Sequence, residues 1–411
     1  MVTGVQTCAL PILCMTAPVL SLDMYQATAV AALVLLLGRF LVKKIPILDR
    51  YCIPAPVVGG FVYAILHLIV RSAGIVEIAA DMTLKDVFMV GFFCSVGFTA
   101  SFRMLKKGGI QTIIFLVLAI VMVVLQNCLG AGLAVAFGLD PRLGLATGSI
   151  PMVGGHGTAG SFGPLLEGLG VANANVVAIA SATFGLVAGC AIGGPIATAK
   201  IKKFKLHSVD SDAAAAGSDD SEEAGKIDSK RFLDAVLCLI IAIGFGTIVS
   251  MFLGKLMTFP FYIGAMLVGA VIRNVADGMS KELPMEEIGV VGGFCLSVFL
   301  GLAMIDMKLW QLAELALPLV VMLAAQTVLM FVYAYFVVFN VLGRTYDAAV
   351  MTTGFCGFGM GATPNAMANM QAVVGQYGPA PTAFMVVPLV GSLFIDFFNA
   401  SILTGFINFL G

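Results

Sequence analysis

Between Pro151 and Ser161 the chain reads PMVGGHGTAGS, and from Gly354 to Asn369 it reads GFCGFGMGATPNAMAN. Glycine lets a ligand approach the backbone closely and tolerates positive φ, and proline interrupts a helix, so both stretches break into half-helices. A half-helix N-terminus presents unpaired N–H groups and the positive end of a dipole, which suit a carboxylate. Unwound carbonyls and C-terminal helix ends suit Na+. Gly154, Gly155, Gly157 and Thr158 in the first stretch, and Gly359, Gly361, Thr363 and Asn365 in the second, are therefore the expected substrate-binding residues. His156 either bonds the substrate or holds the turn. The competing use of such glycines is close helix packing, but Gly-Gly-His-Gly and Gly-x-Gly-x-Gly are denser than packing requires.

The remaining polar candidates lie inside apolar segments. Asp396, in FIDFFNAS, is a carboxylate within a membrane segment, which is costly and marks function by default. With Asn399 one turn later, it can offer oxygen ligands to Na+ or hold a substrate ammonium. Gln126, Asn127 and Gln326 either line a cavity or bond between helices. Ser95, Thr99 and Ser297 are weaker candidates, since membrane hydroxyls often bond their own backbone. Arg273 ends a crossing and reaches either an acidic substrate or the membrane surface. His67, His156 and His207 have no metal-ligand spacing, so Na+ through Asp396 is the only metal expected. No nucleophile–base pair stands out, and no cofactor or catalytic residue is expected.

These residues need elements to position them. At 60% hydrophobic and 11% charged, the chain is far from the soluble balance of roughly a quarter charged. It reads as an all-α polytopic membrane protein. The net charge of -1 points to no nucleic acid. Nine cysteines are scattered singly with no C-x-x-C pair, as packing residues are. Residues 1–21 lack the basic start of a signal peptide and receive no role.

A crossing of about 30 Å of hydrocarbon takes about 20 apolar residues. Crossings are expected at 22–42, 53–70, 87–102, 110–137 and 173–199, followed by a polar linker at 200–230. A second set is expected at 231–253, 259–276, 288–305, 314–340 and 382–408. The interrupted stretches, at 140–170 and 345–377, read as re-entrant hairpins, each between the fourth and fifth crossing of its set. With both termini outside and the linker cytoplasmic, seventeen of the 22 Lys and Arg fall inside and five outside, as the positive-inside rule demands. The halves 22–199 and 231–411 echo each other at an offset of about two hundred residues. PVVGG answers PFYIG, FFCSV answers FCLSV, and Gln126 answers Gln326. An odd number of crossings per half inverts the second relative to the first, which sets the hairpins head to head.

Several longer strings resemble the bacterial sodium/glutamate symporters. They are LLLGRFLVKK, IPAPVVGG, GGHGT, ATFGLVAG, KLWQLAELALP, YDAAV, CGFGMGATPNAMANMQ and VVPLVGSLFIDFFNA, in order over nearly the whole chain. The resemblance implies Na+-coupled uptake of L-glutamate across the bacterial inner membrane, by a homodimer with paired inverted domains. It also implies that the hairpin glycines, here Gly154, Gly155, Gly157, Gly357, Gly359 and Gly361, take part in translocation. The expected mechanism is alternating access, more elevator-like than rocking because hairpins can act as gates. The alternatives are another acidic amino acid or dicarboxylate, H+ coupling through Asp396, or a channel with a glycine-rich carbonyl filter.

Overall fold

The computed structural model describes residues 18–50, 53–103, 109–208, 228–253, 255, 260–309 and 315–411. Most of the expected leader and linker therefore lies outside the described residues. After the short strand β1 (Val19–Leu22) come α1 (Met24–Lys44) and α2 (Ala55–Ser72), strand β2 (Glu77–Ala80), α3 (Thr83–Thr99) and α4 (Gly109–Ala136). Two short helical pieces, Pro141–Leu145 and Ser149–Met152, lead into α5 (Gly155–Gly168), and α6 (Ala174–Phe204) follows. Beyond the linker are α7 (Ser229–Leu253), α8 (Ile263–Gly278), α9 (Met285–Ile305) and α10 (Ala316–Tyr333). A π-helical turn, Ala334–Val338, prolongs α10. The chain ends in α11 (Tyr346–Gly359), α12 (Thr363–Tyr377), α13 (Pro381–Leu393) and α14 (Ile395–Leu410).

Among the described residues, eight helical runs are long and apolar enough to cross a membrane, with α13 and α14 counted as one. Of the ten expected crossings, α3 and α8 are the short ones, at 17 and 16 residues. Three expectations need correction. The end of the leader is not without structure, because Val19–Leu22 pairs in parallel with Glu77–Ala80. Helix α6 runs past the expected boundary at residue 199, and Lys200 is buried rather than in the linker. Its ammonium lies 3.5 Å from the centre of the Tyr335 ring, a cation–π contact that keeps the charge shielded at the end of the helix. Helix α3 starts at Thr83, so Lys85 belongs to its first turn and is not a loop charge.

The packing does not follow the two sequence halves. Helices α1, α2 and α3 pack with α7, α8 and α9 to form a first bundle. Helices α4 and α6, both interrupted stretches, α10, α13 and α14 form a second. Each half thus gives its first three long helices to one bundle and the remainder to the other. The contacts are also mirrored: α1 crosses α2 so closely that a Cβ on Gly38 would lie 1.8 Å from the Ala55 carbonyl oxygen. In the same way, α7 crosses α8 with Gly246 against the backbone of Ala265.

Candidate functional site

The interrupted stretches return to where they start. At the base of the first, Arg142 Nη1 donates to the Leu169 carbonyl at 3.4 Å. At the base of the second, the Tyr346 hydroxyl donates to the Gly378 carbonyl. Helix α6 spans the distance between the two bases. Its first turn joins the end of the first stretch, where Asn175 N donates to Glu167, and just past its end Ser208 Oγ donates to the Pro379 carbonyl at 2.6 Å. Its 31 residues rise about 1.5 Å each, so the bases stand roughly 45 Å apart.

The tips meet between the bases. Gly155 has φ +57°, in the left-handed region that glycine adopts at no steric cost. A Cβ there would lie 3.0 Å from the Gly361 carbonyl oxygen. Gly185 of α6 lets the second tip approach just as closely, since its Cβ would fall 2.1 Å from the Met360 carbonyl oxygen.

Amides hold both tips. Gln126 Nε2 donates to the Gly359 carbonyl at 2.8 Å, and Gln326 Nε2 donates to the carbonyl of Gln126 at 2.8 Å. Asn127 Oδ1 accepts from the Ser149 N–H and hydroxyl, and that hydroxyl also reaches Asn399 Oδ1 at 2.7 Å. Asn365 Nδ2 donates to the Leu186 carbonyl at 2.9 Å. These bonds leave Gln126 Oε1, Gln326 Oε1, Asn365 Oδ1 and Asn127 Nδ2 buried without a hydrogen-bond partner. Four such groups in one region are unusual, because buried polar atoms are normally satisfied. Three of them are oxygens, the donor type a hard cation takes.

The remaining expected residues sort by position. His156 is buried, and its Nε2 lies 2.9 Å from Thr183 Oγ1, which ties α5 to α6 and favours its turn-holding role. Gly154 precedes α5, and Thr158 is buried one turn on, its N–H donating to the Gly154 carbonyl. Gly157 faces Phe92 and Leu296 of the first bundle. Gly357 brings α11 against Ala366 of α12, and Gly359 touches Met330. Thr363 is half-buried at the second tip. Asp396 is half-buried in the first turn of α14, just past the break at Phe394, and is near enough to Tyr262 to act on its phenol electrostatically. Among the described residues no hydrogen bond or ion pair is found for its carboxylate.

Ser95 and Ser297 are not brought to the tips. Each lies in the first bundle and donates to a carbonyl of its own helix, at Phe92 and Gly293, which satisfies a hydroxyl in apolar surroundings. Arg273 pairs with Asp277 at 3.2 Å, within its own helix. Sequence reasoning missed Ser149, Thr183 and Tyr262. The last stands in the PFYIG string that carries the internal repeat, the one signal that pointed to it.

Two apolar bundles, with opposed breaks in the chain meeting inside the second, define a polytopic membrane protein of the transporter class. The chain belongs to the sodium/glutamate symporter family, whose match covers residues 20–379. It is 40% identical to the sodium/glutamate symporter of Escherichia coli (strain K12) over 387 residues, 93% of this chain and 96% of that protein. The Shigella flexneri symporter matches equally well. The Haemophilus influenzae symporter is 37% identical over 390 residues, 92% of this chain and 96% of that one. The resemblance carried by the glycine strings is borne out.

Proposed function

We propose that this chain couples the inward movement of L-glutamate to Na+ by alternating access across the bacterial inner membrane, with the substrate seated between the two tips. The observation that carries this reading is the contact of Gly155 with the Gly361 carbonyl, from hairpins whose bases lie at opposite ends of α6. On this reading the stretches at 140–170 and 345–377 are re-entrant, and α3 and α8 are short crossings. The total is ten crossings in two inverted repeats, with both termini outside and the linker inside. Backbone N–H groups at the tips receive the substrate carboxylates. Na+ takes the unpaired amide oxygens of Gln126, Gln326 and Asn365, or the Asp396 carboxylate. Its positive charge offsets the repulsion of two substrate carboxylates from a low-dielectric interior, which couples the two binding events.

The second bundle carries the tips and moves against the first, and the chain works as a homodimer, as the family resemblance implies. Uptake of radiolabelled glutamate into proteoliposomes with an imposed Na+ gradient tests the reading. Accumulation above the external concentration, abolished when the gradient is collapsed, is the expected result. Uptake that never exceeds equilibration points to a channel. Competition by aspartate and dicarboxylates fixes the substrate.

A further inference from the structure

Away from the tips, the seam between the bundles opens into a cavity of about 180 Å³. Lys85, Asp86 and Met89 of α3 line it on one side, and Ser161 of α5 and Tyr262, just ahead of α8, on others. Lys85 is 7% exposed, and among the described residues no carboxylate lies within ion-pair distance of its ammonium. Asp86 in the same turn, together with Glu167 and Asp306, acts on its charge and offsets the helix dipole. Among the described residues none of them bonds its ammonium directly, and a bound carboxylate would give it a charge-assisted hydrogen bond.

Two further observations point to the same ligand. Tyr262 is fully buried with its ring stacked on Phe93 at 3.9 Å, and its hydroxyl faces Ser161, yet no partner stands at hydrogen-bonding geometry. The exposed Asp86 at the lip adds a match for an ammonium. The space holds the carboxylate end of a small amino acid with a few waters, at about 30 Å³ each.

We propose that Lys85, with Tyr262 and Ser161, forms a receiving site for a carboxylate of the amino-acid substrate, separate from the seat between the tips, with Asp86 reading the substrate ammonium. The inference rests on the symport reading. Lys85 and Tyr262 belong to the first bundle and Ser161 to the second, so the site exists only while α5 stands in this position. It serves the face of the membrane on which the proposed orientation puts the start of α3, the outside.

The test is the initial rate of uptake into proteoliposomes by the full-length chain. Lys85→Gln is expected to raise the KM for glutamate about 10-fold, the loss of a charge-assisted hydrogen bond. The Na+ concentration for half-maximal uptake should stay the same, and Lys85→Arg should hold KM within about twofold of the parent. Tyr262→Phe, which removes a single oxygen, should raise KM about threefold and keeps the test decisive if Lys85→Gln inserts poorly. Asp86→Asn should weaken glutamate while leaving inhibition by glutarate, which has no amine, unchanged. A normal KM in both Lys85→Gln and Tyr262→Phe overturns the receiving site and leaves symport standing. Absence of Na+-driven uptake by the parent chain overturns the symport reading itself.

Discussion

The two hairpins share a motif but not a setting. The second lies wholly within its own bundle: Phe355 and Phe358 pack on Phe115 of α4, and Gly354 abuts Val387 of α13. The first faces the other bundle. Gly157 lies against Phe92 and Leu296, Gly160 against Phe299, and Phe162 stands edge-on to Tyr262. Its core is shared with α3, α8 and α9, whereas the core around the second hairpin takes nothing from the first bundle. A surface of glycines against hydrocarbon can slide with little loss, since it breaks few directional bonds. A hairpin locked by aromatic interdigitation must travel with its bundle. On the proposed alternating-access reading, the first hairpin would be the sliding face and the second would be carried along.

The strongest challenge to this contrast is to tie each hairpin down, in a chain whose nine native cysteines have been replaced. Leu165→Cys and Phe261→Cys, on opposite sides of the seam cavity, joined by a short bis-thiol reagent, should abolish uptake. Ser208→Cys and Pro379→Cys, joined at the base of the second hairpin, should leave most of it. Equal loss in both would erase the distinction. Next in size is Gly155→Val, expected to cut uptake by more than about 100-fold with normal membrane abundance, because φ +57° is strained for a β-branched residue and the new Cβ meets a carbonyl. Gly359→Val should cost less, about 10-fold, because its Cβ meets only the flexible end of Met330. Asp396→Asn should raise the half-saturating Na+ concentration about 10-fold, and unchanged Na+ dependence would remove it from the site.

The smallest effect concerns the base of the first hairpin. Hydrogen bonds from Arg142 hold the Asp140 carboxyl below its ordinary range. A carboxyl depressed on folding adds stability above its unfolded value of about 4, and loses it as pH falls through the folded one. Part of this pair is exposed, so its contribution is under about 1 kcal/mol. Asp140→Asn should lower the melting temperature slightly at pH 7, and the difference should vanish under strongly acidic conditions.

Much of this was legible in the chain itself. Composition and the lengths of apolar runs require a membrane protein, since so few charges cannot cover a water-facing surface. The helices fall within a few residues of the expected crossings, because hydrocarbon thickness dictates their length. Gly155 and Gly361 stand out in the sequence because dense glycine among apolar residues has few other uses. What sequence could not show is which helices keep company. The halves are contiguous in the chain but divided between two bundles, and only packing decides that. It also decides that Ser95 and Ser297 bond their own helices, that His156 ties α5 to α6, and that Lys85 lies buried beside a cavity. Such outcomes depend on which partners lie within about 3 Å, the reach of a hydrogen bond, and residue order does not fix distance across a fold.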